Sequence, residues 1–197
     1  MFSSEHPQLS EPAAKMVFNN HVYSCFRHHI TAAMSNVTIA TLPRITRENL
    51  AGMILANPLS PQSESKIAVI DVRDSDHVGG HIRGSIHAPT PTLDWRMPEL
   101  VRQLRDKEKV VFHCALSQQR GPSAALRYLR EMERMYPATA EVAAEDEVKD
   151  AQEAVATRPR KQKVYVLDGG FVQWQEKYGK DEKLTDGYVE EIWKYGY

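Results

Sequence analysis

The chain has 197 residues, of which 42% are hydrophobic, so it can form the core of one domain with extensions. Its formal net charge of −1 gives no overall field that attracts nucleic acid or an anionic membrane, and we expect neither as a partner. The only two cysteines, Cys25 and Cys114, exclude a disulfide framework and a multi-cysteine zinc site and suit a reducing compartment.

The N-terminal third combines an unpatterned segment with a first helix and a first strand. Residues 1 to about 40 show little periodicity and are predicted to form a flexible tail. Thr46 is predicted to cap a short helix whose apolar face holds Leu50, Met53 and Ile54. After a turn-rich loop, residues 67–73 form a continuous apolar run that ends in charge, which predicts a strand buried on both faces.

Further strands and helices alternate in the middle of the chain. A loop with two glycines leads to a predicted short strand around residues 85–88. Leu100, Val101 and Leu104 have helical spacing within a predicted helix over about residues 94–105. A strand over Lys109–His113 and a helix from Gly121 to about Met135 follow.

The remaining residues contain a charged insert and one more strand and helix. Residues 136–163 are charged and alanine-rich, which predicts either a solvated helix or a partly disordered excursion. A strand over 163–167, a turn and a helix over 171–178 come next, and residues 181–197 are predicted to be a C-terminal extension. Its aromatic end, residues 188–197, is expected to pack on the domain, with a docking motif as the alternative. The alternation predicts an α/β fold with a mainly parallel sheet, whose ligand lies beyond the carboxyl ends of the strands.

The segment around Cys114 carries the strongest chemical signal. A predicted apolar strand ends at His113, and Cys114 follows it directly. Five residues separate Cys114 from Arg120, which precedes a predicted helix. Backbone N–H groups of such a loop and a helix N-terminus bind a tetrahedral anion, and the arginine binds it from the side. The same groups favour a thiolate, so Cys114 is predicted to be a nucleophile. The alternative is a buried, inert cysteine that closes a core strand.

Three segments in order resemble the rhodanese-like superfamily over residues 43–178. They are residues 69–73 leading to 80–86, the cysteine loop, and residues 166–171 with Trp174. The resemblance implies a single rhodanese-like domain over 43–180, with a mainly parallel five-stranded sheet and helices on both faces. It also implies that the length of the cysteine loop distinguishes the reactions that members of the superfamily catalyse. Sulfurtransferases of the superfamily usually have four residues between cysteine and arginine, whereas the dual-specificity phosphatases of the cell-division-cycle type and the fungal arsenate reductases have five, as here.

The resemblance also implies roles for individual residues. Cys114 would be the nucleophile and Arg120 the phosphate clamp. His113 would either tune the thiolate or only pack behind the loop, and Ser117 would either bond the thiolate or only satisfy the loop. The phosphate-binding amides would belong to Ala115, Leu116, Ser117, Gln118, Gln119 and Arg120.

This chain departs from the cell-division-cycle enzymes because it lacks an acid inside the loop, so the proton donor is unassigned. Asp74, Asp76 and Asp94 are the acids expected near the mouth, each more readily read as a solvated or capping residue. Asp71 and Arg73 are predicted to form a structural pair at a strand end.

The function that follows is a cysteine-dependent phosphatase of tyrosine or dual specificity, with no cofactor and no metal. Its partner would be a phosphoprotein or another phosphomonoester. One alternative is an arsenate reductase supplied by glutathione and glutaredoxin. Others are a thiosulfate sulfurtransferase and a non-catalytic rhodanese binding module. The expected location is the cytoplasm, with the nucleus as the alternative.

Overall fold

The computed structural model describes residues 37–57, 59, 65–137 and 162–195. Most of the predicted tail and most of the predicted insert lie outside these ranges. Besides a 3-10 turn at Ile39–Thr41, the helices are α1 (Arg47–Ala56), α2 (Thr90–Gln103), α3 (Arg120–Met135), α4 (Gly170–Tyr178) and α5 (Glu190–Tyr195). The strands are β1 (Arg44–Ile45), β2 (Ile67–Asp71), β3 (His81–Ile82), β4 (Ile86–His87), β5 (Lys109–His113), β6 (Lys163–Leu167) and β7 (Thr185–Asp186).

Five of the strands form a parallel sheet in the order β1-β6-β5-β2-β4. The predicted α/β fold and five-stranded sheet are therefore confirmed. β3 and β7 form a separate antiparallel pair, which ties residues 185–186 of the predicted C-terminal extension to the domain. β5 lies at the centre of the larger sheet. The residues that follow its C-terminal end therefore lie between the ends of the neighbouring strands.

Alternating side chains of the strands supply two separate cores. Ile70 and Phe112 pack on one face with α2 and α3, whereas Val69 and Val111 pack on the other face with α1 and α4. Because successive strand residues point to opposite faces, a continuous apolar run is what a sheet covered on both sides requires. Helices on both faces of the sheet are thus confirmed.

The start of α2 was predicted four residues too late. The helix begins at Thr90 rather than Asp94, with Pro89 as its N-cap and Pro91 in its first turn. Proline fits the first turn because the N–H it lacks has no intrahelical partner there. The strand predicted over residues 67–73 is β2, which is shorter than predicted because it ends at Asp71.

Thr46 caps α1 as predicted, since its side chain accepts a hydrogen bond from the Asn49 N–H. In the described part of the chain no helix is both long and apolar enough to cross a bilayer.

Trp174 on α4 provides a test of the core on the second face of the sheet. It is fully buried, and its Nε1–H donates to Thr185 Oγ1 over 3.0 Å, whereas Trp95 on α2 is 72% exposed. We expect Trp174→Ala to lower the free energy of unfolding by about 3–5 kcal/mol. The same change at Trp95 should cost less than about 0.5 kcal/mol. Urea unfolding of both variants measures this, and equal losses would contradict the packing described.

Candidate active site

Cys114 lies at the carboxyl end of the central strand. β5 ends at His113, and Cys114 follows it directly. β2 and β6 flank β5, and the parallel register sets Asp71 level with His113. The ends of three strands therefore meet around the cysteine, where open α/β sheets bind their ligands.

The loop from Cys114 to Arg120 curls around the cysteine sulfur. The Ser117 N–H donates a hydrogen bond to Cys114 Sγ over 3.2 Å, and the Cys114 N–H donates to Ser117 Oγ over 3.4 Å. Ser117 has a φ of 54°, a left-handed conformation that costs a non-glycine residue on the order of 1–3 kcal/mol. Because the Ser117 side chain is fully buried, its surroundings hold this strained residue with its N–H directed at the cysteine sulfur.

The start of α4 shapes the same loop from outside. The N–H groups of Phe171 and Val172 donate to the carbonyl oxygens of Cys114 and Ala115, each over 2.9 Å. These two carbonyls therefore point towards α4. Gly170 makes the approach possible, because its φ is 59° and a Cβ placed on it would lie 2.3 Å from the Ala115 oxygen.

A cavity of about 250 Å³ opens beside Cys114, and loop residues line it: Cys114, Ala115, Leu116, Gln118, Gln119 and Arg120. Ser117, also predicted to bind phosphate, instead lies buried next to the sulfur. Since α3 begins at Arg120, the positive end of its macrodipole meets this loop. A second cavity of about 310 Å³ lies near the amino ends of β2 and β4, against Ile67 and Gly84, away from the cysteine.

Arg120 forms ion pairs with two carboxylates of the loop that follows β2. Its Nη1 lies 2.7 Å from Asp76 Oδ1, and its Nη2 lies 2.5 Å from Asp76 Oδ2. Asp74 Oδ2 is 3.2 Å from Nη1. The guanidinium holds the pKa of Asp76 down at about 2, a shift that partial burial opposes. Asp74 is also a capping residue, because its Oδ1 accepts the Thr90 N–H at the start of α2.

A buried ion pair stands behind the cysteine loop. Asp71 and Arg73 are both fully buried, with Arg73 Nη2 2.7 Å from Asp71 Oδ2, as expected for a strand-end pair. Burial alone raises the pKa of Asp71, but His113 and the hydrogen bonds from Arg73 lower it to about 2. Burial lowers the pKa of His113 itself. The guanidinium of Arg73 is therefore the permanently charged partner of Asp71.

The other predicted residues take up supporting or distant positions. His113 is fully buried behind the loop, with Nδ1 3.4 Å from the Cys114 oxygen and Nε2 3.7 Å from Asp71 Oδ2. Asp94 instead pairs with Arg127 on α3 over 2.5 Å and is exposed. Within the described ranges, no three His, Cys, Asp or Glu side chains come together as metal ligands.

Sequence reasoning missed two supports of the loop. One is the pair of amides at the start of α4. The other is Arg44 in β1, whose Nη2 donates to the Ser117 oxygen over 3.4 Å. The Gly169-Gly170 pair directly after an apolar strand is the signal for the first, since both residues adopt a positive φ. A lone arginine within a two-residue strand carries no comparable signal for the second.

Gly170 gives a direct test of how α4 shapes the loop. We expect Gly170→Ala to displace the loop carbonyls and to lower both stability and any activity of Cys114, because its Cβ has no room and its φ is positive. Gly52→Ala in α1 is the matched control. No atom lies within 4 Å of its added Cβ, so it should raise stability slightly. Thermal unfolding and the rate of alkylation of Cys114 measure both effects, and equal behaviour of the two variants would contradict this account.

Asp71 makes the free energy of unfolding depend on pH in the acid range. Its pKa is about 2 in the folded protein against an ordinary 3.8, so the unfolded chain takes up its proton at higher pH. The stabilisation is complete above about pH 4 and is lost as the pH falls through about 2. It amounts to about 2 kcal/mol.

Urea unfolding between about pH 6 and about pH 2 measures this loss, and Asp71→Asn should remove that share of the pH dependence. A carbon-13 NMR titration of the Asp71 carboxyl in the unaltered protein tests the same point without a variant. A carboxyl that titrates at its ordinary pKa would contradict the prediction.

Comparison with known proteins agrees with this architecture. The rhodanese-like domain family matches residues 58–177. The CDC25-like phosphatase YCH1 of Saccharomyces cerevisiae is 38% identical over 137 residues, which cover 64% of this chain and 77% of that protein. Arsenate reductase 2.2 of Oryza sativa subsp. japonica is 48% identical over 67 residues, covering 34% of this chain and 52% of that protein.

A solved structure gives the same result. The structure of a yeast protein tyrosine phosphatase of the rhodanese family superimposes with a TM-score of 0.56 at 29% identity, covering 80% of this chain and 99% of that one. The names of these relatives fall into the two activities that the loop length predicted, phosphatase and arsenate reductase. The family predicted from the three motifs is confirmed, and the chain belongs to the rhodanese-like family.

Proposed function

We propose that this protein is a cysteine-dependent phosphatase that hydrolyses phosphomonoesters, with protein phosphotyrosine or a dual-specificity phosphoprotein as substrate. One observation carries the proposal: a loop with five residues between Cys114 and Arg120 surrounds a cavity that both residues line. The Ser117 N–H donates a hydrogen bond to the cysteine sulfur, which holds the proposed nucleophile in place within the loop.

The reaction takes two steps. The thiolate of Cys114 attacks phosphorus in line, the bond to the leaving oxygen breaks, and a cysteinyl-phosphate forms. Water then attacks phosphorus, and the S–P bond breaks to release inorganic phosphate. The guanidinium of Arg120 and the loop amides stabilise the equatorial oxygens of each transition state, and the loss of one such donor elsewhere costs on the order of 3–4 kcal/mol.

The length of the loop supports phosphatase chemistry over sulfurtransfer. Five residues separate Cys114 and Arg120, the spacing of the phosphatases and arsenate reductases that the chain resembles, whereas sulfurtransferases of the superfamily usually have four. The presence of both the cysteine and the arginine also argues against a module that only binds.

Arsenate reduction is the second candidate, because relatives named arsenate reductases match this chain over 67 and 115 residues. Arsenate has the geometry of phosphate, so the same thiolate can attack it with loss of water. Two electrons must then come from outside. Cys114 is the one cysteine among the described residues, so glutathione with glutaredoxin is the partner this reaction would need. Both reactions require a reduced thiol, which favours the cytoplasm, or alternatively the nucleus.

Hydrolysis of para-nitrophenyl phosphate, with reductant and without metal, tests the proposal. We expect Cys114→Ser to abolish the activity and Arg120→Lys to lower kcat/KM by about 10²–10³-fold, because a lysine cannot bind two oxygens side by side. Cys25→Ser is the matched control and should retain activity.

Full hydrolysis by Cys114→Ser would reject the phosphatase assignment. No hydrolysis by the unaltered protein, together with arsenate reduction that depends on glutathione and glutaredoxin, would establish the second candidate instead.

A further inference from the structure

The carboxylate of Asp76 accepts hydrogen bonds from one edge of the Arg120 guanidinium. Both terminal nitrogens of Arg120 bind the two oxygens of this carboxylate side by side, at 2.7 and 2.5 Å. Asp74 adds a contact of 3.2 Å to the same Nη1. A side-by-side pair fixes both the position and the plane of a guanidinium, which a single contact cannot do.

The carboxylates contact Arg120 from outside the cavity. Arg120 lines the cavity next to Cys114, and neither Asp74 nor Asp76 does. A guanidinium has five N–H donors in a planar fork, and Asp76 occupies the end edge. The side edge, formed by Nε and the second hydrogen of Nη2, has no partner among the residues that the structure describes. That edge is the one left for an oxyanion.

Asp76 is itself fixed before any anion arrives. Its Oδ1 accepts the Asp74 N–H over 2.9 Å, and its backbone oxygen accepts a hydrogen bond from Arg73 Nη1 over 3.4 Å. The Asp76 side chain is 17% exposed. The pKa of Asp76 is about 2, so the carboxylate stays charged throughout the range in which a phosphatase works.

We propose that Asp76 is a positioning residue, which orients the Arg120 guanidinium so that its free edge faces the phosphoryl group, with Asp74 as a second anchor. This inference rests on the proposed function and adds the residue that prepares its anion clamp. Ordering a long side chain in advance removes an entropy cost that substrate binding would otherwise carry.

A competing role for Asp76 predicts the opposite sign. If the carboxylate blocked Arg120, its removal would free the guanidinium and tighten anion binding. If it positions Arg120, removal weakens anion binding. The affinity for inorganic phosphate therefore separates the two roles without any turnover.

The first measurement is calorimetric titration of the Cys114→Ser protein with inorganic phosphate, with and without Asp76→Asn. We expect Asp76→Asn to weaken phosphate binding by about tenfold or more. Asp76→Glu should restore part of the affinity, because the carboxylate remains. Asp94→Asn is the matched control, since it removes another carboxylate–guanidinium pair, between α2 and α3, at a site away from the cavity.

The second measurement is kinetic, with Cys114 intact. For para-nitrophenyl phosphate, Asp76→Asn should raise KM and lower kcat/KM by about 10- to 100-fold. In an Arg120→Met background the same change should have no further effect, because the residue acts only through Arg120. If Asp76 had only a structural role, Asp76→Asn would lower kcat/KM by the same factor with Arg120 present and in the Arg120→Met variant. If Asp76→Asn does not fold, Asp74→Asn, which removes only the second anchor, should show the same pattern at smaller size.

Unchanged or tighter phosphate binding by a folded Asp76→Asn protein would overturn the positioning role, as would equal effects with and without Arg120. These results are distinct from failure of the proposed function. The latter appears as full hydrolysis by Cys114→Ser, whatever happens at Asp76.

Discussion

The ion pair between Asp71 and Arg73 is the interaction on which the candidate site depends. Both side chains are fully buried, so their desolvation offsets much of the attraction between them, and such pairs contribute more to a defined geometry than to stability. Arg73 also donates to the Gly80 oxygen over 2.8 Å and lies 4.1 Å from the centre of the Phe171 ring. One guanidinium therefore connects the end of β2, the entry to β3 and the start of α4.

Through these contacts the ion pair supports the candidate site both on the side of Arg120 and on the side of Cys114. On one side Arg73 bonds the backbone of Asp76, which in turn holds Arg120. On the other side it packs against Phe171, whose N–H bonds the carbonyl of Cys114. Cys114 and Arg120 come from one loop, but the elements that fix them come from two other parts of the chain. Rigid support of this kind is what a site for transition-state stabilisation requires.

The sequence was sufficient for the features that local pattern specifies. The strands 109–113 and 163–167 match their predicted bounds, because an apolar run between charged or turn residues has clear ends. Two-residue strands such as β1 and β7 were not predicted, since a pattern of period 2 cannot be read over two residues. The predicted start of α2 was wrong because the helix begins at Thr90, ahead of the apolar residues at helical spacing from which it was predicted.

The candidate site shows the same difference between features that local sequence specifies and features that depend on tertiary structure. Cys114, Arg120 and the loop between them could be proposed as the candidate site from spacing along the chain, because they are close in sequence, and their catalytic roles stay a prediction. The pairing of Arg120 with Asp76 could not, because it joins loops after two different strands and depends on the strand order of the sheet. The roles of Ser117 and His113 were left open for a similar reason, as only tertiary structure decides which atoms they contact.

The contact of Gly170 with the cysteine loop has a consequence for protein synthesis. The amides of α4 that bond the loop carbonyls belong to a segment that leaves the ribosome well after Cys114. β6, which lies between β1 and β5 in the sheet, is also made late. Until both segments dock, the loop has no template for its shape and the sulfur lacks its ordered amide. The loop therefore takes its final shape around the sulfur only as the last part of the domain folds.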